Sequence, residues 1–234
     1  MSAFLYLIPS TIGDYEVKDV LPRKTLDVIQ DLDEFIVENI RTSRRFLIKA
    51  GYTKSIDNIK FNLLDKHTSE SELPGFLDSA KSGKSIGLIS EAGCPCVADP
   101  GARVVALAHQ AGIKVKPLTG PSSILLALMA SGFNGQSFAF HGYLPIDTKQ
   151  QQKRLKEIEK QARLNDQTQI FMEAPYRNNK MLRNIVMSLS EATMLCIASE
   201  ITTDGEFIET KSIGLWKKNL PDCNKKNTVF LIFA

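Results

Sequence analysis

The stretch SIGLISEAGCPCVADPGARVVALAHQAGIKVKPLTGPSSILLALMA, residues 85–130, decides the fold class. Residues 85–89 form a short apolar run bounded by turn residues, which reads as a buried strand. A loop of small residues, 90–101, follows it. Residues 102–111 have helical spacing, and Gly112 stands where a helix end needs left-handed backbone. Residues 113–118 read as a second strand, Thr119-Gly120-Pro121 as a turn, and 122–130 as a strongly apolar helix. Strand, loop and helix, twice in succession, describe a parallel sheet with right-handed crossovers.

The same alternation extends outward. FLYLIP, from Phe4, reads as a first strand buried on both faces, and Ser10–Asp14 as the turn after it. A helix is expected over 22–32, where Leu26, Val28 and Ile29 face one way. A strand follows at 35–39, a short helix with a basic start at 42–50, and a helix at 73–81 stopped by Ser82-Gly83-Lys84. Beyond Gly142-Tyr143-Leu144-Pro145, residues 149–163 form an amphipathic helix with Leu155, Ile158 and Ala162 as its apolar stripe. QIFMEA, MLCIAS, EFIETKSI and TVFLIFA read as strands, with 178–189 helical between the first two. Their short links predict a mixed or partly antiparallel second sheet.

With 234 residues, 43% hydrophobic and 24% charged, the chain has ordinary globular composition. Its net charge of +3 permits a polyanionic partner without demanding one. No apolar run approaches the roughly 20 residues that span a bilayer, so no membrane association is expected. The opening residues lack a basic region and a small-residue cleavage site, and read as strand rather than signal peptide. Cys94, Cys96, Cys196 and Cys223 are too few and scattered for a disulfide scaffold, which points to a cytoplasmic setting. The Cys94-Pro95-Cys96 pair lacks both zinc and thioredoxin-like spacing, so loop packing is expected and no metal. His67, His109 and His141 are isolated and read as surface or packing residues.

In an open parallel sheet, ligands sit on the loops beyond the carboxyl ends of the strands. Gly93-Cys94-Pro95, Asp99-Pro100-Gly101 and Gly120-Pro121-Ser122-Ser123 are such loops. Glycine lets backbone approach a ligand closely, and a serine pair opening a helix offers N–H and hydroxyl groups. Each loop also reads as an ordinary turn of turn residues. Neither G-x-G-x-x-G nor a Walker A pattern is present, so composition stops at an α/β enzyme of unknown ligand.

Several blocks, however, carry a family resemblance. SEAGCPCVADPG (90–101) resembles the SDAGTP…SDPG loop of the tetrapyrrole methylase superfamily, and within it the ribosomal RNA small-subunit methyltransferase I branch. AGIKVKPLTGPSSILLALMASG (111–132), SFAFHGYLP (137–145), IFMEAPYR (170–177) and ASEITTDGEFIETKSIGLW (198–216) are similar to further blocks of that branch, in the same order. The resemblance covers essentially the whole chain. It implies two α/β lobes, 1–118 with a mainly parallel sheet and 119–234 with a mixed one, a homodimer, and S-adenosyl-L-methionine in the cleft between lobes. It also implies 2′-O-methylation of a ribose in small-subunit ribosomal RNA.

Carried over block by block, the resemblance places Ile12, Gly93, Cys94, Pro95, Val97, Ser122 and Ser123 at the cofactor, with Met172, Glu200 and Thr228 in the second lobe. The departures lie mainly in the first lobe. Ser10–Asp14 replaces TPIGN, Glu38-Asn39-Ile40-Arg41 replaces EDTR, and His67–Glu70 replaces the H-N-E segment. Cys94 stands where the branch has Thr.

A ribose hydroxyl is a poor nucleophile near neutral pH, so a general base helps. Glu173 and Glu38, each at a strand end, are the candidates, and either also reads as an ion-paired carboxylate. Phosphate contacts are expected from Arg41, Arg44, Arg45, Lys49 and Arg177. The basic helix 149–163 reads better as a solvated face with helical ion pairs. Two alternatives remain open: methylation of a tetrapyrrole-like small molecule, or a cofactor-binding, ribosome-associated module without catalysis, which the changes at Asn39 and Ile40 motivate.

Overall fold

The computed structural model describes residues 3–65 and 67–234. Residues 1 and 2 of the opening stretch therefore lie outside the described residues. The chain forms two compact units, one running to Ser122 and the other starting at Ser123.

The first unit runs β1 (Phe4–Ile8), α1 (Val17–Val20), α2 (Arg23–Gln30), β2 (Glu34–Val37), α3 (Ile40–Lys49), β3 (Lys60–Leu63), α4 (Asp78–Lys81), β4 (Ile86–Ile89), α5 (Ala102–Gln110) and β5 (Lys114–Pro117). All its strand pairs are parallel, in the order β3-β2-β4-β1-β5. Strand alternation divides the apolar residues between two faces. Ile8, Phe35, Val37 and Ile89 pack with Ile29 and Leu47 on one side. Leu5, Ile36, Ile86 and Leu88 pack with Leu73, Val104 and Ala108 on the other. β2 and β4 are buried along their whole length, as a sheet covered on both faces requires. β1 is less so: Leu5 and Ile8 are buried, whereas Phe4, Tyr6 and Leu7 are half-buried. Lys116 of β5 lies 3.8 Å from the Phe4 ring centroid and shields that end of the strand.

Several details of the first unit differ from the sequence reading. Residues 73–81 are not one helix but a 3₁₀ segment, Leu73–Leu77, leading into α4. Pro74 and Gly75, both poor helix formers, occupy its first turn. β3 and α1, four residues each, carry too little periodicity to be read in advance.

The second unit runs α6 (Ser123–Ser131), β6 (Phe138–Tyr143), α7 (Thr148–Asn165), β7 (Thr168–Met172), α8 (Asn178–Ser188), β8 (Met194–Ser199), β9 (Phe207–Ser212), α9 (Ile213–Trp216) and β10 (Thr228–Phe233). Its sheet order is β6-β7-β10-β8-β9, with β6 and β7 parallel and the other pairs antiparallel. Leu155 and Ile158 of α7, Leu182 and Ile185 of α8 and Trp216 of α9 pack with Phe171, Leu195 and Phe230. Buried Trp216 keeps its polar end satisfied, its Nε1 donating to the Leu195 carbonyl at 3.0 Å. α7 starts at Asp147, whose carboxylate accepts from the Gln150 N–H, and stops at left-handed Asp166. No helix among the described residues is long and apolar enough to cross a membrane.

Candidate active site

Because the first sheet is parallel, the segments after β1, β2, β4 and β5 emerge at one edge. The adjacency of β4, β1 and β5 joins three of them. The Gly93 carbonyl accepts from Ser10 N at 3.0 Å and from the Ser90 hydroxyl. The Cys94 thiol donates to the Pro121 carbonyl at 3.3 Å. Gly93 has φ +70°, and a Cβ there would sit 3.1 Å from Ile12 and 3.2 Å from the Pro121 carbonyl oxygen. A side chain at this point would thus be both strained and crowded. Gly93, Cys94 and Ile12 are brought together here, with Ser122 next to Pro121.

The rest of the loop is wound tightly. Cys96 and Ala98 are also left-handed, an uncommon state for residues other than glycine. Asp99 Oδ1 fixes the turn by accepting from the N–H groups of Cys96 and Gly101 at 3.1 and 2.7 Å. Pro95 is buried and Val97 exposed. Burial raises the Cys94 thiol pKa; burial, with the Asp99 charge, pushes that of Cys96 up to about 11. Both are packed protonated thiols, as loop packing requires.

Glu38, at the end of β2, faces this loop because β2 pairs with β4. Burial, the Asp99 carboxylate and the Glu91 charge together raise its pKa to about 7, against a Glu91 backbone N–H that favours the charged form. The second Asp99 oxygen is buried and finds no donor among the described residues. Glu38, when protonated, is the group placed to supply that donor. Glu91 is itself tethered, accepting from the Thr42 hydroxyl at 2.6 Å.

The departure at Asn39 preserves local structure. Its side-chain oxygen accepts from the N–H groups of Arg41 and Thr42 at 2.9 and 3.3 Å, capping α3 as an aspartate would. Of the basic cluster, Arg44 pairs with Asp57 and lies over Phe61, and Lys49 pairs with Asp14, lowering that carboxyl's pKa. Arg41 and Arg45 are exposed and form no ion pair among the described residues. A cavity of about 210 Å³ lies against α3, lined by Ser10, Thr11, Thr42, Arg45, Lys49 and Glu91 among others.

Within the second unit, pairing brings Met172, Glu200 and Thr228 to one end of the sheet: Met172 is opposite Val229, and Thr228 opposite Ser199. Glu200 is left-handed, donates its N–H to the Asn227 carbonyl and accepts from Asn227 N. Ser123 opens α6. Glu173 is buried and ion-paired. Oε1 accepts from Arg177 Nε and Nη2 at 2.9 and 2.6 Å and from Ala174 N at 2.7 Å; Oε2 accepts from Gln151 at 3.4 Å. The Arg177 ion pair ties the buried Glu173 down, so the geometry favours Glu38 over Glu173 as a base. On α7, Arg154 bonds to Glu157 and to His141, whose pKa burial lowers.

The sequence reading gave Asp99 only a place in a ligand loop and passed over Glu91 and Thr42. The signal was present, since the loop 90–101 carries one acid near each end and a strand-end acid lies at Glu38.

The chain matches the model of the Tetrapyrrole (Corrin/Porphyrin) Methylases over residues 5–215. It is 36% identical over 205 residues to ribosomal RNA small subunit methyltransferase I of Vibrio cholerae, covering 88% of this chain and 67% of that one. The Escherichia coli O157:H7 protein of the same name is 31% identical over 231 residues, covering 97% and 77%. Among solved structures, diphthine synthase superposes with a TM-score of 0.71 at 17% identity, covering 100% of this chain and 90% of that one. The methyltransferase CobJ superposes with a TM-score of 0.65 at 16% identity, covering 100% and 94%; both likenesses concern the fold.

Proposed function

Since the chain belongs to the tetrapyrrole methylase family and is a methyltransferase, we propose that it methylates a ribose 2′-hydroxyl of small-subunit ribosomal RNA with S-adenosyl-L-methionine. The observation that carries the reading is the Glu38–Asp99 pair beside the Gly93 loop. The names of the relatives support small-subunit ribosomal RNA as substrate. We extend the reading to a cytoplasmic homodimer, on family membership alone.

When bound, the cofactor supplies an electrophilic methyl group on a sulfonium. The loop 93–98 fits such a group: its turns are left-handed at Gly93, Cys96 and Ala98, its residues are small, and Val97 and Ala98 are exposed. Ile12, Gly93, Cys94, Pro95, Val97 and Ser122 are the first unit's cofactor residues in this reading, and Ser123, Met172, Glu200 and Thr228 those of the second. Glu38 takes the proton of the attacking hydroxyl, which a carboxylate with a pKa near 7 does far better than one at its ordinary value. Asp99 keeps Glu38 basic, and Glu91, tied to Thr42, holds it in place. Arg41 and Arg45 are free to meet phosphate, whereas Arg44 and Lys49 would first exchange a carboxylate partner. The retained cap at Asn39 supports a working enzyme over a non-catalytic module.

The test is methyl transfer from tritiated cofactor to small ribosomal subunits, followed by alkaline hydrolysis. A 2′-O-methyl group blocks cleavage of its own phosphodiester, so the expected label is in an alkali-resistant dinucleotide. Label in a mononucleotide, meaning a methylated base, or no label at all, overturns the reading.

A further inference from the structure

The second unit presents a surface that methyl transfer does not account for. Tyr143, at the end of β6, and Tyr176, just past β7, are 60% and 66% exposed. Strand pairing sets Tyr143 opposite Met172, so both tyrosines stand at the same end of the sheet. Arg177 completes the group. Its guanidinium carbon lies 4.9 Å from the Tyr176 ring centroid, and Nη1 donates to the Tyr176 hydroxyl at 2.7 Å.

What lies beneath is unusual for a surface arginine. Glu173, with its side chain 2% exposed, grips Arg177 through two nitrogens. Glu173 is held by Gln151, and Gln151 by Asn184 at 2.5 Å. A buried ion pair is weak as a source of stability, because desolvation offsets the attraction. Its clear product here is a guanidinium fixed in orientation, with an aromatic face beside it.

We propose that Tyr143, Tyr176 and Arg177 form a stacking platform for an unpaired base of the RNA, with the outer edge of the guanidinium meeting the neighbouring phosphate. This rests on the reading of the substrate as RNA. Unpaired bases stack on tyrosine rings and arginine planes, and such contacts tolerate any sequence because every base has a π-face. Glu173, Gln151 and Asn184 are positioning residues that keep the platform rigid.

The test is fluorescence anisotropy with labelled single-stranded oligoribonucleotides and a matched duplex, with no turnover required. Wild type binds the single strand. Y143A/Y176A binds it roughly 5- to 100-fold more weakly, and Y143F/Y176F binds as wild type does, because the rings remain. Unchanged binding of S-adenosylmethionine by calorimetry shows that the alanine variant is folded. The platform is overturned if the alanine variant binds RNA like wild type. It is equally overturned if sedimentation shows that the substitutions split an oligomer, which makes the patch a subunit contact. If wild type binds no RNA, the substrate reading falls and the platform with it. If RNA binding depends on the tyrosines but no ribose is labelled, the platform stands and only the acceptor falls.

Discussion

Glu38 is where the residue-scale reading is most exposed to test. A base whose pKa is about 7 gives activity that rises between pH 6 and 8 as Glu38 loses its proton. E38Q is expected to lower kcat by roughly 100- to 1000-fold and to flatten that rise, with cofactor affinity by calorimetry unchanged. Stability carries the opposite sign. The folded state holds a proton that the unfolded chain releases above its ordinary 4.5, so this group's contribution declines as pH rises from 4.5 to about 7. Urea midpoints across that window therefore fall less for E38Q than for wild type. At Gly93, G93A places a Cβ against Ile12 and the Pro121 carbonyl in left-handed backbone. Cofactor affinity is expected to drop about tenfold, a loss of ~1.4 kcal/mol, read by the same titration. Gly93 was legible in the sequence because small turn residues declare a tight loop. The Glu38–Asp99 pair was not, because it depends on β2 lying beside β4, and strand order is not written in local periodicity. Glu173 was legible as a strand-end acid and as an ion-paired carboxylate, its local partner being Arg177 four residues on. The Gln151 that also holds it comes from a different element and was not legible.

Among the elements, long amphipathic helices and short runs of apolar residues were readable, while short elements with few buried residues were not. The helix expected at 149–163 is α7, one residue longer at its start and two at its end, since four buried positions along it repeat at helical spacing. β3 and β6 went unread because neither has a fully buried residue, so no run or alternation of apolar positions marks them. β6 also carries a register shift between Phe140 and Tyr143. The turn after β5 is closely fitted to the end of β1. A Cβ on Gly120 would come 2.2 Å from Cγ and 2.4 Å from Cβ of the Pro9 ring, and 3.2 Å from Leu21. A proline ring cannot swing aside, so G120A is expected to cost about 1–3 kcal/mol. Urea unfolding is the check; an unchanged midpoint would mean that the turn yields freely.

Taken whole, the fold class was written plainly in the sequence, down to one parallel and one mixed sheet. Two alternating series of strands and helices differ in how long their connections are, and that difference sets parallel against antiparallel pairing. A protein that binds S-adenosylmethionine only when folded gains about 2.7 kcal/mol at a hundred times the dissociation constant. For a chain of this size that raises the melting temperature by roughly 5–10 °C. No shift at millimolar cofactor in folded protein would remove the cofactor from the reading. The position of β10 has a consequence in time as well as in space. It is the last strand of the second sheet in sequence, yet it lies between β7 and β8. On a ribosome adding ~5–20 residues per second, β7 and β8 wait several seconds with the edges that β10 will join still open. The first sheet waits in the same way, since β1 and β2 both pair with β4 and stay open until residues 86–89 have emerged. Nascent-chain aggregation and chaperone dependence should therefore peak twice, before residues 86–89 emerge and again before residues 228–233 do.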